Sequence, residues 1–368
     1  MDRDEFSAWL RLLETPGVGR DSARALLSHF GSPQAVGEAS TEARRSVVGP
    51  AAAGALATVP PEFESRLDAG WRWLQGDESP GQIRDVIAIG DPRYPQALLE
   101  TADPPLLFYI RGRPEVLARP ALAIVGSRNP TAQGLENARA FAAHLSHAGW
   151  AVVSGLALGV DGAAHDGALK GGGGTIAVVG TGLDRVYPAR HRGLAQRIAA
   201  QGLLVSEYAV GTPALPPHFP VRNRIIAGLT RGTLVVEAAL HSGSLITARM
   251  ALESGREVFA IPGSIHAPQS RGCHLLIKQG AKLVEQASDI LEELAPAGGP
   301  PAEAAVPGAP VSKDPVLDAL GYEPMTLDEL IARTGRSAAE LSARLLELEL
   351  AGRVARTPGQ MFQRIERG

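Results

Sequence analysis

The middle of the chain alternates short apolar runs with stretches of helical periodicity. Seven runs are typical of β-strands: LAIVG (122–126), AVVSG (151–155), TIAVVG (175–180), LLVSE (203–207), TLVVEA (233–238), EVFAIPG (257–263) and AKLVE (281–285). Helical patterns lie between them, as at residues 134–148 and 244–253. Continuous apolar strands joined by helices indicate a parallel sheet that is covered on both faces. The pattern therefore predicts a doubly wound α/β domain, with its binding crevice at the carboxyl ends of the strands.

The first 80 residues show helical patterns instead. Apolar residues at positions 6–13 follow helical spacing, and a Gly17-Val-Gly19 turn leads into a second helical segment. A Gly-x-Gly turn between short helices resembles a helix-hairpin-helix, whose backbone N–H groups can hold a phosphate, and Arg20 and Arg24 lie beside it. An αα-hairpin that only packs against protein explains the same residues equally well.

The last 55 or so residues predict three helices and a β-ribbon, which is the pattern of a winged helix. Thr326 with Glu329, and Ser337 with Glu340, have the spacing of two capping boxes. The third helix, at 338–350, carries three Glu and one Arg, so its net charge of −2 disfavours insertion into a DNA groove. We expect an interaction or regulatory module, whose basic surface would be formed by Arg353, Arg356, Arg364 and Arg367 of the wing.

Composition breaks divide these regions. Residues 295–312 are rich in Pro, Gly and Ala and show no periodicity, which is typical of a semi-rigid linker. A softer break lies at residues 76–85. We therefore predict a helical N-terminal domain at 1–80, an α/β domain at 85–294, a linker at 295–312 and a winged-helix domain at 313–368.

Composition narrows the functional classes. The 368 residues are 45% hydrophobic, enough for a large core, and 36 Lys and Arg against 39 Asp and Glu give a net charge of −3. This balance excludes bulk attraction to nucleic acid, so any anion site must be local. One cysteine, Cys273, excludes a disulfide framework and a cysteine-based zinc site. An acidic start and the lack of an 18-residue apolar stretch predict a cytoplasmic protein with no membrane span.

The first candidate site is the loop Gly126-Ser127-Arg128, which follows a predicted strand and precedes a helix. Backbone N–H groups and the helix dipole favour a phosphate at such a turn, and an arginine adds a fork of donors. The alternative is an ordinary turn in which Thr131 caps the helix.

The second candidate is a local basic patch. Residues 218–232 contain three Arg and no acid, and the segment Phe219-Pro-Val-Arg222-Asn223-Arg224 carries two of those arginines. The neighbouring prolines predict a loop for Phe219, and Tyr187 and Tyr208 follow other strands. Aromatic faces among arginines suit single-stranded nucleic acid. The alternative is that Phe219 fills the core while the arginines pair with Glu207 and Glu237.

Two further turns contain polar residues. Ser242-Gly243 follows the predicted strand at 233–238, where it would complete an anion site beside Arg128 or simply cap a helix. Asp161 and His165 are four residues apart, as two ligands on one helix face would be. Two ligands do not close a metal site, however, so we expect Asp161 to be an N-cap and His165 a structural group. No metal or other cofactor is predicted.

Common catalytic motifs are missing from the sequence. There is no GxxxxGK[ST], HExxH, GxSxG or CxxC segment, and no nucleophile with an adjacent base can be identified. We therefore predict a binding protein without catalytic residues.

Together, several motifs closely resemble the DNA processing protein A family, also called DprA or Smf. They are GDPRYPQALLETADPPLLFYIRG (90–112), AIVGSRNPT (123–131), VVSGLALGVDGAAHDGAL (152–169), FPVRNRIIAGL (219–229), EAALHSGSLITA (237–248) and REVFAIPGS (256–264). Val160 stands where the family commonly has Ile, a conservative difference.

The resemblance implies an extended Rossmann fold that binds single-stranded DNA, forms homodimers and loads the RecA recombinase during natural transformation. By position, it assigns the DNA pocket to Gly126, Ser127, Arg128, Phe219, Arg222, Asn223, Arg224, Ser242 and Gly243. The main rival is a nucleotide-binding enzyme or sensor of the phosphoribohydrolase type, although Ile261-Pro-Gly-Ser264 only partly matches the expected PGG-x-GT loop. A structural adaptor that acts through the winged helix is the third possibility.

Overall fold

The computed structural model describes residues 1–76, 82–295, 314–321, 324–357 and 359–365. Its N-terminal part is helical. The helices are α1 (Arg3–Glu14), α2 (Arg20–Phe30), α3 (Pro33–Glu38), α4 (Thr41–Ala57) and α5 (Phe63–Leu74). Gly17 has a φ of 85° in the turn before α2, a backbone conformation that favours glycine.

A nine-stranded sheet forms the centre of the described molecule. Its strands are β1 (Ile83–Ala88), β2 (Leu107–Gly112), β3 (Ala121–Val125), β4 (Ala151–Ser154), β5 (Thr175–Val178), β6 (Leu203–Ser206), β7 (Gly232–Val235), β8 (Glu257–Ala260) and β9 (Lys282–Leu283). Their order is β1-β2-β6-β5-β4-β3-β7-β8-β9. β1 pairs antiparallel with β2, and β2 with β6, whereas all other neighbours are parallel.

Helices connect the strands and cover the sheet. They are α6 (Gln96–Leu99), α7 (Ala132–His147), α8 (Val160–Ala168), α9 (Arg192–Gln201), α10 (His218–Gly228), α11 (Gly243–Glu253), α12 (Arg271–Lys278) and α13 (Ala287–Leu294). Short 3₁₀ helices span Pro114–Ala118, Ala189–His191 and Pro268–Ser270. The predicted doubly wound α/β architecture is confirmed, and each of the seven predicted strands has a counterpart.

The topology fixes where a ligand can bind. β3 pairs with β4 on one side and with β7 on the other, so the chain reverses its winding direction between β3 and β7. At such a switch point, the loops after the two central strands separate and leave a crevice. The antiparallel β1–β2 pair, which the sequence patterns do not predict, extends the sheet at the far edge and leaves this crevice unchanged.

The N-terminal helices share a hydrophobic core with the sheet. The fully buried ring of Phe6 on α1 meets Tyr109 of β2 edge to face, with 6.3 Å between the ring centroids. Trp73 of α5 approaches the same tyrosine at 6.2 Å. Aromatic pairs of this kind add to the burial of their area. The helical N-terminal region is therefore packed against the sheet.

The C-terminal part has the predicted winged-helix order. It comprises α14 (Pro315–Leu320), β10 (Met325–Thr326), α15 (Leu327–Thr334), α16 (Ala338–Leu350), β11 (Val354–Thr357) and β12 (Met361–Arg364). Both predicted capping boxes are present, at the starts of α15 and α16. Residues 296–312 of the predicted linker lie outside the described residues. None of the helices in the described ranges is long and apolar enough to span a bilayer.

Candidate nucleic-acid interface

A cleft of about 680 Å³ opens at the carboxyl ends of β3, β4 and β7, at the switch point of the sheet. Eight of the nine predicted site residues line it: Gly126, Ser127, Arg128, Phe219, Arg222, Asn223, Ser242 and Gly243. A larger cavity of about 780 Å³ lies between α1, α5 and the segment after β6, and none of the nine lines it. The fold thus brings together three motifs that are up to 117 positions apart (243 − 126) in the sequence.

The loop after β3 is held by Glu237, which follows β7. Ser127 N donates to the carbonyl oxygen of Glu237 at 2.7 Å, and Thr131 donates to its carboxylate from N at 3.0 Å and from Oγ1 at 2.5 Å. Thr131 also caps α7, as the alternative interpretation of this loop proposed. Arg128 is exposed and forms no ion pair with any part of the chain that the structure describes. Its guanidinium is therefore available to a ligand.

Close packing explains the glycine in this loop. A Cβ atom on Gly126 would lie 2.7 Å from Val160 Cγ2 and 3.0 Å from the carbonyl oxygen of Glu237. A side chain there would push apart the loops after β3 and β7, which form two walls of the cleft.

Helix α10 supplies the third wall. Phe219, Arg222, Asn223 and Ile226 all line the cleft, and their spacing of three, four and seven places them on one helix face. The prediction that Phe219 lies on a loop is wrong, because it belongs to the first turn of α10. Pro220 does not prevent this, since the first turn of a helix does not need the N–H group that proline lacks.

Aromatic and cationic groups meet on this face. The ring centroids of Phe219 and Tyr187 are 5.3 Å apart, and Tyr187 is 52% exposed. The guanidinium carbon of Arg222 lies 5.4 Å from the centroid of the Phe219 ring, and Arg222 Nη1 donates to the carbonyl oxygen of Val178 at 3.1 Å. Arg222 thus supports the ring from the cleft wall by a cation–π contact.

Arg222 remains charged although it is only 7% exposed. Burial lowers the pKa of Arg222 to about 10, the nearby Asp161 opposes that decrease, and repulsion from Arg128 adds to it. This pKa still lies well above neutral pH, so the cleft carries two arginine charges.

Asp161 is the one acidic residue among those that line the cleft. The prediction that Asp161 caps α8 is wrong, because the N-cap is Gly159. Its carboxylate accepts backbone N–H groups of Gly155 at 3.0 Å and Ala157 at 3.3 Å, which fixes the loop after β4. Burial raises the pKa of Asp161, whereas Arg222 and these hydrogen bonds counteract the increase.

His165 is a buried structural residue, as expected. Its Nδ1 lies 2.7 Å from Thr175 Oγ1, which itself donates to the carbonyl oxygen of Val152, so the ring donates from Nδ1. Burial lowers the pKa of His165 to about 3. Within the described ranges, no group of three or more His, Cys, Asp or Glu could hold a metal ion.

The loop after β7 completes the cleft. Ser242 is the N-cap of α11, and its hydroxyl lies 3.4 Å from Ser244 N. Ser242, Gly243 and Ser244 also line the cleft. Ser242 therefore caps a helix and also lies at a possible anion site, because the capped helix start faces the space beside Arg128. The cleft also includes Tyr187 and His241, which the predicted set omits. Tyr187 was noted only as an aromatic residue after a strand, and His241 lies within the recognised segment 237–248.

Arg224, the ninth predicted residue, does not line the cleft. Its Nε lies 3.0 Å from Asp103. Its guanidinium is also paired with Glu207, as expected in the alternative interpretation of the basic patch. Arg20 and Arg24 of α2 bind the same Asp103 at 2.9 and 2.6 Å. Arg224 therefore belongs to an ion-pair cluster between the N-terminal helices and the sheet domain, which we call the Asp103 cluster (Arg20, Arg24, Asp103, Glu207 and Arg224).

This cluster also bears on the Gly-x-Gly turn. Arg20 and Arg24, which were expected to flank a bound phosphate if the turn were a helix-hairpin-helix, are used in contacts within the protein. The geometry favours the alternative, an αα-hairpin that packs against protein.

The wing of the winged helix offers less basic surface than predicted. Arg356 Nε is paired with Glu349 at 3.1 Å, and Arg364 is 6% exposed and lies 3.6 Å from Asp318. The arginine of α16, Arg344, is paired with Asp314 and Glu347. Arg367 lies outside the described residues.

Two family models match the chain. Residues 85–295 match the family "DNA recombination-mediator protein A", and residues 300–360 match the "DprA winged helix domain".

Known proteins are similar over most of the chain. Protein Smf of Escherichia coli K12 is 44% identical over 283 residues, which is 74% of this chain and 76% of that protein. The X-ray structure of DNA processing protein A from Streptococcus pneumoniae matches with a TM-score of 0.69 and 37% identity, over 78% of this chain and 97% of the other. A homologue from Helicobacter pylori, described for its single-stranded DNA binding mode, matches with a TM-score of 0.53 and 30% identity, over 57% and 95% of the two chains.

Proposed function

Because this chain belongs to the DNA processing protein A family, known as DprA or Smf, we propose that it is a single-stranded DNA-binding recombination mediator. It would protect incoming strands and load RecA onto them in the cytoplasm during natural transformation. One observation carries the proposal: Arg128, the Phe219–Tyr187 pair and the start of α11 line one cleft. A related protein from Helicobacter pylori binds single-stranded DNA, which supports the same ligand here.

In this proposal each part of the cleft has a distinct role. The exposed Arg128 and the backbone N–H groups at the start of α11 bind a phosphate. A base stacks on Phe219 and Tyr187, which is worth about 1–3 kcal/mol per base and does not depend on sequence. Arg222 holds the Phe219 ring and adds positive potential at the cleft wall. Ser127, Asn223 and Gly243 shape the surface around the strand.

The proposed activity is binding, with no bond made or broken. The main rival, a phosphoribohydrolase-like enzyme, would need a glycine-rich loop with a catalytic Glu at its site. The partial match at residues 261–264 does not line the cleft, and the acid that does, Asp161, is buried and occupied by backbone N–H groups.

We also propose a homodimer formed at the β8–β9 edge of the sheet. Ile265 is 74% exposed and Leu283 of β9 is 45% exposed. The segment that carries Ile265 contacts α12, because His274 Nε2 lies 3.0 Å from the carbonyl oxygen of Gly263. Exposed apolar side chains beside an open sheet edge favour association with a second copy. Light scattering of Ile265→Glu against the wild-type protein tests this interface.

The domain division at 1–80, 85–294, 295–312 and 313–368 is likewise a proposal. The acidic α16 and the paired arginines of the wing support a winged helix that does not bind DNA. Deletion of residues 313–368 should then leave the affinity for an oligothymidine unchanged.

Two experiments test the proposed function. Fluorescence anisotropy with an oligothymidine, set against calorimetry with nucleoside monophosphates, separates a strand-binding protein from a nucleotide enzyme. We expect tight, salt-sensitive binding of the oligonucleotide and no measurable binding of the monophosphates. The second experiment follows RecA filament assembly on DNA coated with single-strand binding protein. Faster assembly supports the loading role, whereas no effect despite intact DNA binding would refute that role alone.

A further inference from the structure

A second cleft, of about 580 Å³, lies between helices α7, α8 and α9. We call it the α9 groove. Its basic lining residues are Arg139, Arg190, His191 and Arg197, and its acidic lining residue is Asp166. No Phe, Tyr or Trp lines it. With histidine neutral, the lining carries three positive charges and one negative charge, which favours an anionic ligand.

The ion pairs in the α9 groove leave positive charge available. Asp166 is shared between Arg197, at 2.7 Å, and Arg139, at 3.8 Å. Arg139 also lies 3.5 Å from Glu136 on its own helix. Arg190 is exposed and has no ion pair within the described part of the chain. Like Arg128, it is an exposed cation that no acidic side chain of the described ranges neutralises.

The sequence around the α9 groove is itself strongly basic. Residues 185–197 contain four arginines and no acid, which exceeds the three arginines of residues 218–232. Tyr187, at one end of this segment, lines the first cleft, and Arg190 and His191 line the α9 groove.

The two clefts adjoin each other at two chain segments. In the loop after β4 and the first turn of α8, Ala157 and Asp161 line the first cleft, whereas Gly159 and Gly162 line the α9 groove. The position of a Cβ atom on Gly159, whose φ is 79°, lies 2.4 Å from the carbonyl oxygen of Ser127. The loop that carries Arg128 therefore directly contacts the wall of the α9 groove.

From this arrangement we infer that the α9 groove is a second binding site for single-stranded DNA, which takes the sugar–phosphate backbone of the strand as it leaves the first cleft. The inference rests on the proposed function. The arginines of the groove neutralise phosphates, whereas a lining without Phe, Tyr or Trp offers little surface for stacking bases. The groove would therefore add affinity for longer strands without sequence preference. A free mononucleotide fits less well, since the lining has no Phe, Tyr or Trp to hold its base.

Oligonucleotide length distinguishes the two sites. We would measure the affinity of the full chain for oligothymidines of about 4 and about 20 nucleotides, because one binding module covers roughly 4–16 nucleotides. The variant is Arg190→Glu, and the matched control is Arg45→Glu, since Arg45 is another exposed arginine, on α4. Among the residues that the structure describes, neither arginine forms an ion pair or a side-chain hydrogen bond, so we expect both variants to fold.

For Arg190→Glu, we expect about five- to tenfold weaker binding of the long strand and unchanged binding of the short one. For Arg190→Ala, the slope of log K against log salt for the long strand should flatten by about 0.7. Arg45→Glu should match the wild-type protein with both strands.

Two results would overturn the inference. One is long-strand binding by Arg190→Glu that equals that of Arg45→Glu, and the other is an equal loss for both strand lengths, which would assign Arg190 to the first cleft. Failure of the proposed function looks different, because the wild-type protein would then bind neither strand and Phe219→Ala would change nothing.

Discussion

Arg222 and Arg224 are separated by one residue on α10, yet they lie on different faces of that helix. Residues two apart on a helix point about 200° away from each other. Arg222 faces the cleft, where it contacts the ring of Phe219. Arg224 faces the Asp103 cluster, where Asp103 and Glu207 neutralise it.

The difference shows that a count of local charge overstates the charge a ligand can use. The segment 218–232 carries three positive charges, but Arg224 is neutralised within the Asp103 cluster. The cleft instead obtains its second cation from Arg128, which lies about 100 residues earlier in the sequence. We therefore expect substitution of Arg224 to lower the stability of the protein, and substitutions in the cleft to weaken DNA binding.

The largest effect should come from Arg224→Ala. The side chains of Arg224 and Glu207 are only 11% and 14% exposed. Arg20 and Arg24 would still neutralise Asp103, but the other cation near Glu207, Arg20, lies 3.6 Å away, so the variant leaves a buried Glu207 poorly compensated. Urea denaturation should show a loss of about 3 kcal/mol in the free energy of unfolding. At low temperature, where the variant is still folded, its affinity for single-stranded DNA should equal that of the wild-type protein.

Arg128→Ala is the matched control for that experiment. Arg128 is exposed and unpaired in the described structure, so its removal should change the free energy of unfolding by less than about 0.5 kcal/mol. Equal destabilisation by the two variants would contradict the distinction between the cluster and the cleft.

Phe219→Ala should have the next largest effect, this time on binding. Loss of one stacking platform should weaken the binding of oligothymidine by about 2 kcal/mol, or roughly 30-fold. Anisotropy titrations would measure it, with Tyr208→Leu as the aromatic control, because Tyr208 lines the cavity between α1, α5 and the segment after β6 instead of the cleft. An equal loss of oligothymidine affinity in both variants would show that the strand does not bind specifically at the α10 face that carries Phe219.

The sequence predicted those parts of the fold that depend on local patterns. The strands of the parallel sheet are continuous apolar runs, and Thr131, Thr326 and Ser337 cap helices through contacts only a few residues away. The cleft residues were found because their motifs follow strands whose carboxyl ends meet in any doubly wound sheet.

What the sequence did not predict depends on distant partners or on exact helix boundaries. Arg224 is removed from the cleft by Asp103, a residue 121 positions away (224 − 103) in the sequence. The start of α10 at His218 places Phe219 on a helix, although the three nearby prolines suggested a loop. Helix α8 starts at Val160, which moves Asp161 inside the helix.

His165 is buried like Arg222 and Arg224, but it is neutral whereas the two arginines are charged. Its pKa is lowered to about 3 by burial, so below about pH 6.5 the unfolded chain binds a proton that the native state does not. Stability should therefore fall as the pH falls. Between pH 7 and 5 the free energy of unfolding of the wild-type protein should decrease by about 2 kcal/mol more than that of His165→Gln.

Urea denaturation of both proteins at the two pH values measures this difference. Gln retains a donor for Thr175 but does not titrate, so the comparison isolates the protonation of His165. Identical acid sensitivity in the two proteins would show that His165 is protonated in the native state.

The most direct test of the account is the salt dependence of oligothymidine binding by Arg128→Ala and Arg224→Ala under conditions where both are folded. Each phosphate contact contributes about 0.7 to the slope of log K against log salt for a single strand. We predict that Arg128→Ala binds more weakly with a slope flatter by about 0.7, while Arg224→Ala retains the affinity and slope of the wild-type protein. An unchanged slope for Arg128→Ala, or a flattened one for Arg224→Ala, would contradict the assignment of the cleft as the phosphate-binding site.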